Sequence, residues 1–107
     1  MASAARIVLI TAPDAEVGRR LGRALVEERL AACVNLVPGV RSIYRWQDGI
    51  EEDAEILLIV KTRQERCEAL AARVEALHPY DLPEVVVLPI EGGGARYLSW
   101  ILSESQS

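Results

Sequence analysis

The chain has 107 residues, a length that suits one compact domain spanning 1–107. Half of them are hydrophobic and 26% are charged, so the chain can bury a core, which excludes a disordered segment. A net charge of −4 leaves no basic face for phosphate contacts, and nucleic acid is not an expected partner.

The opening MASAARIVLITAPD lacks the basic stretch, apolar run and cleavage site of an export signal. No apolar run approaches the roughly 20 residues that span a bilayer. Cys33 and Cys67 lie far apart with no C-x-x-C spacing and read as reduced, small hydrophobic residues. The expectation is a cytoplasmic protein with no membrane partner.

Arg6 to Ala12 (RIVLITA) is apolar and β-branched and predicts a buried strand. Pro13-Asp14 stops it and opens a helix, with Asp14 or its neighbour as cap and Glu16 in the first turn. Val17, Leu21, Ala24 and Leu25 share a face, and the helix should end near Leu30 or Ala31. Cys33 to Trp46 reads as a second strand, which Pro38-Gly39 bends or bulges and thereby places at a sheet edge. Asp48-Gly49 supplies a hairpin turn, and Glu55 to Thr62 returns as the third strand.

Thr62-Arg63-Gln64-Glu65 has the form of a capping box. The helix that follows should bury Cys67, Leu70, Ala71, Val74 and Leu77 and end at Pro79. Glu84 to Ile90 predicts a fourth strand, and Ala95 to Leu102 a short helix after Gly92-Gly93-Gly94. The order β-α-β-β-α-β plus a tail helix is that of an α+β, ferredoxin-like antiparallel sheet.

Both crossover helices of such a fold share one face of the sheet. The other face should then alternate with polar residues, yet "IVLI" (7–10), "ILLIV" (56–60) and "VVVL" (85–88) are apolar in both parities. A second surface must cover it. The same surface of another copy is the economical candidate, which predicts a homo-oligomer.

The motifs that could carry chemistry are few. Asp48, Glu51, Glu52, Asp53 and Glu55 lack the spacing of a calcium loop and read as a solvated hairpin tip. The three glycines lack a phosphate-loop pattern. His78 is the only histidine, so no Ser-His-Asp or Cys-His set has an identifying spacing. A histidine in a helix's last turn can serve the unpaired carbonyls there. Cys33 and His78, if they met, would fall short of a closed zinc site but could suit soft copper. Tyr44 and Trp46, on an exposed ribbon, read as interface anchors.

"TAPD" (11–14), "LVEERLAACVN" (25–35), "PGVRSIYRW" (38–46), "ILLIVKT" (56–62), "HPYDLPEV" (78–85), "LPI" (88–90) and "YLSWI" (97–101) together resemble the CutA divalent-cation tolerance family, in order along nearly the whole chain. The resemblance implies a ferredoxin-like fold, a tight homotrimer and structural kinship to the PII nitrogen-signalling proteins. It implies a loose link to copper and other divalent cations, with no tightly bound cofactor and no established reaction. Members credited with copper binding carry a cysteine just before or within Thr-Ala-Pro-Asp, and some a second histidine. This chain has Ile10, Ala12 and Leu77 at those places, so of that set only His78 remains. Carried over by motif, the intersubunit cleft should gather Cys33, Tyr44, Trp46, Lys61, His78, Tyr80 and Glu84.

Three functions compete on these terms. The first is a non-enzymatic trimer of cation tolerance, holding metal weakly with His78 and Cys33 as the candidate ligands. The second is a PII-like sensor of a small ligand, anionic if Lys61 and Arg45 serve it. The third is a small enzyme with His78 as base, which lacks a partner at readable spacing.

Overall fold

A computed structural model describes residues 3–106. Its elements are β1 (Ala5–Ala12), α1 (Ala15–Glu27), β2 (Cys33–Trp46), β3 (Gly49–Arg63), a 3-10 turn (Gln64–Arg66), α2 (Cys67–Leu77), β4 (Val86–Pro89) and α3 (Ala95–Glu104). The four strands form one antiparallel sheet in the order β2-β3-β1-β4. This is the α+β arrangement expected from the element order.

Asp14 caps α1, its carboxylate accepting from the Val17 amide at 2.9 Å. The helix stops at Glu27, earlier than its apolar spacing suggests. Arg29 takes a left-handed conformation (φ 58°), and the amides of Leu30 and Ala31 both fold back onto the Leu25 carbonyl. Both residues are buried, so their hydrophobicity serves the core and not a further helical turn. α1 lies close on the sheet because Gly18 and Gly22 face it. A Cβ at Gly18 would stand 3.0 Å from Leu36, and one at Gly22 3.3 Å from Val34.

The core is one layer between the helices and the sheet. Leu21 and Leu25 of α1 and Leu70 and Val74 of α2 pack on Val8, Ile10, Leu58 and Val60. A smaller cluster of Ala5, Ala32 and Ile101 seats α3 at one end of the sheet.

Pro38-Gly39 does interrupt β2, which is an edge strand as expected. The pairing with β3 shifts register between Val37 and Val40, and Gly39 adopts φ +80°, a conformation that glycine alone enters freely. Two details of the hairpin and the next helix differ from expectation. The turn is centred on Gln47 and Asp48 (φ 48° and 66°), with Trp46 opposite Gly49, so Gly49 is already the first residue of β3. Positive φ at both central residues is the turn whose twist matches the strands. The capping box is also absent, since the buried Thr62 hydroxyl donates to the Leu30 carbonyl at 2.7 Å and Glu65 pairs with Arg63. The hydroxyl is turned toward a tertiary carbonyl and caps no amide, and α2 starts later, at Cys67, behind the 3-10 turn. Of its expected stripe only Leu70 and Val74 are fully buried, and Leu77 is exposed.

The face of the sheet away from the helices is mainly apolar, with Asn35 and Lys61 toward one end and Thr11 and Glu55 toward the other. By register it carries Ile7, Leu9, Leu57, Ile59, Val37, Val86 and Leu88. The first four are half-buried, and the last three are exposed.

Candidate functional site

His78 is the C-cap residue of α2, one past Leu77. It is 7% exposed and has left helical geometry (φ −77°, ψ 139°). Its own amide still donates to Val74, but its ring does not serve the carbonyls of its helix. Nε2 lies 2.7 Å from the Thr11 carbonyl oxygen, and Nδ1 accepts from the Tyr80 amide at 3.1 Å. A carbonyl can only accept and an amide can only donate, so both bonds are made by the tautomer with hydrogen on Nε2. The cause is in the topology. β4 pairs with β1 only as far as Val86 opposite Leu9, so the edge of β1 at Thr11 has no strand partner. The imidazole supplies the missing donor.

This arrangement leaves neither ring nitrogen with a free lone pair for a metal or a substrate proton. Cys33 is elsewhere. It pairs across the sheet with Lys61, whereas Thr11 pairs with Leu57, four residues away along β3. At about 3.3 Å per residue that is roughly 13 Å, so within one chain His78 and Cys33 are not one ligand pair. Among the described residues no three His, Cys, Asp or Glu side chains converge as a metal site. The residues present in one copy therefore do not fit a tightly held copper ion.

Four of the expected cleft residues do come together. Tyr44, Trp46, Tyr80 and Glu84 line a cavity of about 650 Å³ at the foot of the hairpin, with Thr11, Ser42, Arg45, Glu55, Asp81 and Leu82. Lys61 is not among them. It sits at the opposite end of the sheet, its ammonium on the Asn35 side-chain oxygen and beside Cys33, whose thiol also reaches Asn35.

The floor of the cavity is Glu55, which the sequence reading placed in a solvated charge run. It is only 8% exposed, and the Tyr80 hydroxyl donates to it at 2.8 Å. The Tyr44 hydroxyl donates to Asp53 in the same way at 2.5 Å. That carboxylate hydrogen bond pushes the Tyr44 phenol up to about 12, with Glu51 and Glu55 adding to the effect. Burial and the bond to Glu55 raise Tyr80 as well. Tyr44 is thus held protonated chiefly by its bond to Asp53, and Tyr80 chiefly by burial and then by its bond to Glu55. The sequence carries only part of the signal for Glu55. Strand alternation puts it on the same face as Leu57 and Ile59, but also as exposed Glu51 and Asp53, so what separates it is the cover of Tyr80, a contact 25 residues along the chain.

Comparison with known proteins bears on the whole of this architecture. Residues 6–104 match the family model described as "CutA1 divalent ion tolerance protein". The divalent-cation tolerance protein CutA of Thermus thermophilus is 58% identical over 95 residues, covering 89% of this chain and 92% of that one. A solved structure of the Thermus thermophilus divalent cation tolerance protein superposes with a TM-score of 0.93 at 54% identity, covering 95% of this chain and 99% of that chain. The structure of the periplasmic divalent cation tolerance protein CutA of Archaeoglobus fulgidus gives 0.92 at 37%, with 95% and 99% covered. Plant and mammalian relatives are longer, and the chain spans 56% of the Arabidopsis thaliana protein and 55% of the human one. With the match running through every strand and helix that builds the cavity and the open face, the chain belongs to the CutA1 divalent ion tolerance family.

Proposed function

We propose that this chain works in divalent-cation tolerance as a cytoplasmic homotrimer that binds copper or another divalent cation weakly and transiently and catalyses no reaction. The observation that carries the reading is the uncovered apolar face, on which Val37, Val86 and Leu88 stand 36–44% exposed beside half-buried Ile7, Leu9, Leu57 and Ile59. A surface of this size and polarity belongs in an interface. For the metal, support comes from the ligand count. His78 has both ring nitrogens engaged, and Cys33 has Asn35, Lys61 and Tyr97 beside it but no second thiol or imidazole. Copper(I), which accepts few and soft ligands, is the ion for which Cys33 counts most. No helix of the described residues is long and apolar enough to cross a membrane.

Light scattering tests the assembly, and a mass near three times 11.8 kDa is expected. A mass near 11.8 kDa itself would refute it. Isothermal titration of copper(II), on the native protein and on His78→Ala, tests the metal. Weak binding that is insensitive to the substitution is expected. Tight, stoichiometric binding lost in His78→Ala would overturn the reading of that side chain.

A second reading is a PII-like sensor of a small ligand, and the cavity at the foot of the hairpin favours it. Within one copy only Arg45 lines the cavity and Lys61 lies at the far end of the sheet, so a cleft that uses both for an anionic ligand would draw Lys61 from a neighbouring copy. Native mass spectrometry of protein purified without added metal reports subunit number and any retained ligand together.

A further inference from the structure

The chemistry of the cavity selects among ligands more sharply than its size. Tyr44, Trp46 and Tyr80 present aromatic surface to it and are 41%, 40% and 36% exposed. Asp81 and Glu84 stand exposed at its rim, Glu55 forms its floor, and Arg45 is the single cation in the lining. Asp53 and Glu51 continue the acidic surface on the same side of β3. Glu55 is 8% exposed as a residue, its Oε2 accepts from the Tyr80 hydroxyl, and its other oxygen is not buried and opens to the cavity. That accessible oxygen can pair with a positive group brought in by a ligand.

A metal ion needs three or four ligand atoms converging on one point, which the described residues do not offer. An ammonium group bearing carbon substituents needs something different: ring faces within about 6 Å and a carboxylate close by. We propose that this cavity binds an organic ammonium ion, with the rings of Tyr44 and Tyr80 beside its carbon groups, Glu55 as counter-ion, and Trp46 further along the lining. The inference rests on the sensor reading of the same cavity and names the class of ligand sensed. The carboxylates of Asp53 and Glu55, which accept from the Tyr44 and Tyr80 hydroxyls, place negative charge beside both rings.

The test uses choline chloride as probe and its uncharged carbon isostere, dimethylbutanol, as control, at ionic strength matched with sodium chloride. The chain has two tryptophans, so Trp100→Phe leaves Trp46 as the only indole reporter. Choline should change the Trp46 emission saturably, and the isostere should need a concentration roughly tenfold higher or more for the same effect. Glu55→Gln keeps an oxygen acceptor for the Tyr80 hydroxyl and should weaken choline by a similar factor. If that variant does not fold, Asp81→Asn combined with Glu84→Gln at the exposed rim gives the same comparison. Equal responses to choline and isostere, or undiminished choline binding in the charge variants, would overturn the proposal. Inorganic phosphate separates the two levels of the argument. A saturable response to phosphate and none to choline would keep the sensor and refute the organic cation, and silence toward both would refute both.

Discussion

His78→Phe tests the assignment of the only histidine as a tie between β1 and the segment after α2. Phenylalanine has a ring of similar size, so the change removes two hydrogen bonds with little change in volume. The Thr11 carbonyl loses its donor at a residue only 9% exposed, where an unmet acceptor costs about 1–3 kcal/mol. The Tyr80 amide, on a half-open segment, can recover water and adds about 0.5–1 kcal/mol. The expected loss is therefore about 1.5–4 kcal/mol. Urea unfolding at a fixed protomer concentration, in buffer containing a metal chelator, measures it, because stability linked to assembly depends on concentration. The chelator matters, since a histidine held in reserve for a metal contributes nothing in its absence. A loss under about 0.5 kcal/mol would show that the ring is not a structural tie.

Three further expectations concern other parts of the chain. Trp46→Ala should weaken assembly by about 2 kcal/mol or more, seen as dissociation on dilution in sedimentation experiments; an unchanged subunit number would place the indole in solvent. Asp14→Ala should cost about 1 kcal/mol in thermal or urea unfolding through loss of the Val17 amide's acceptor, whereas Asp14→Asn should retain most of it. The Tyr44 phenol, raised from 10.0 to about 12 chiefly by its bond to Asp53, holds its proton more tightly folded than unfolded. Its stabilising contribution is complete below pH 10 and is lost as the pH rises through about 12, so Tyr44→Phe should flatten the fall in stability across that window.

The parts of the fold that the sequence reveals are those where a local signal and the tertiary environment agree. Pro38-Gly39 marks the register shift because proline removes a donor and glycine supplies the positive φ. The two-faced apolar strands mark the open face for the same reason: their pattern is a direct record of burial. Where an outside partner intervenes, local signals mislead. Thr62 looks like a cap, but the Leu30 carbonyl claims its hydroxyl. Leu30 and Ala31 look like one more helical turn, but they turn back into the core. The candidate site was half legible. Tyr44, Trp46, Tyr80 and Glu84 share a cavity, and Lys61 and Cys33 do not, because motif proximity along a strand says nothing about which end of the sheet a residue occupies. His78 was seen as a helix end, and its bond to a carbonyl 67 residues earlier in the chain carries no sequence signature.

The register shift in β2 has a consequence for how order is distributed in the molecule. Beyond it, residues 40–54 form a two-stranded ribbon with no helix on either side, which helps to stretch the chain to 44 Å along an envelope of 26 × 22 Å. A ribbon of two strands is at best marginally stable in water by itself. Its amides in an isolated copy should exchange with solvent long before those of β1 and the inner half of β3, which lie over the core. In an assembled molecule the same amides acquire whatever protection the neighbours provide. The slowing of exchange along the ribbon on assembly is thus a residue-by-residue measure of how much of this chain's order is supplied by contact with other copies.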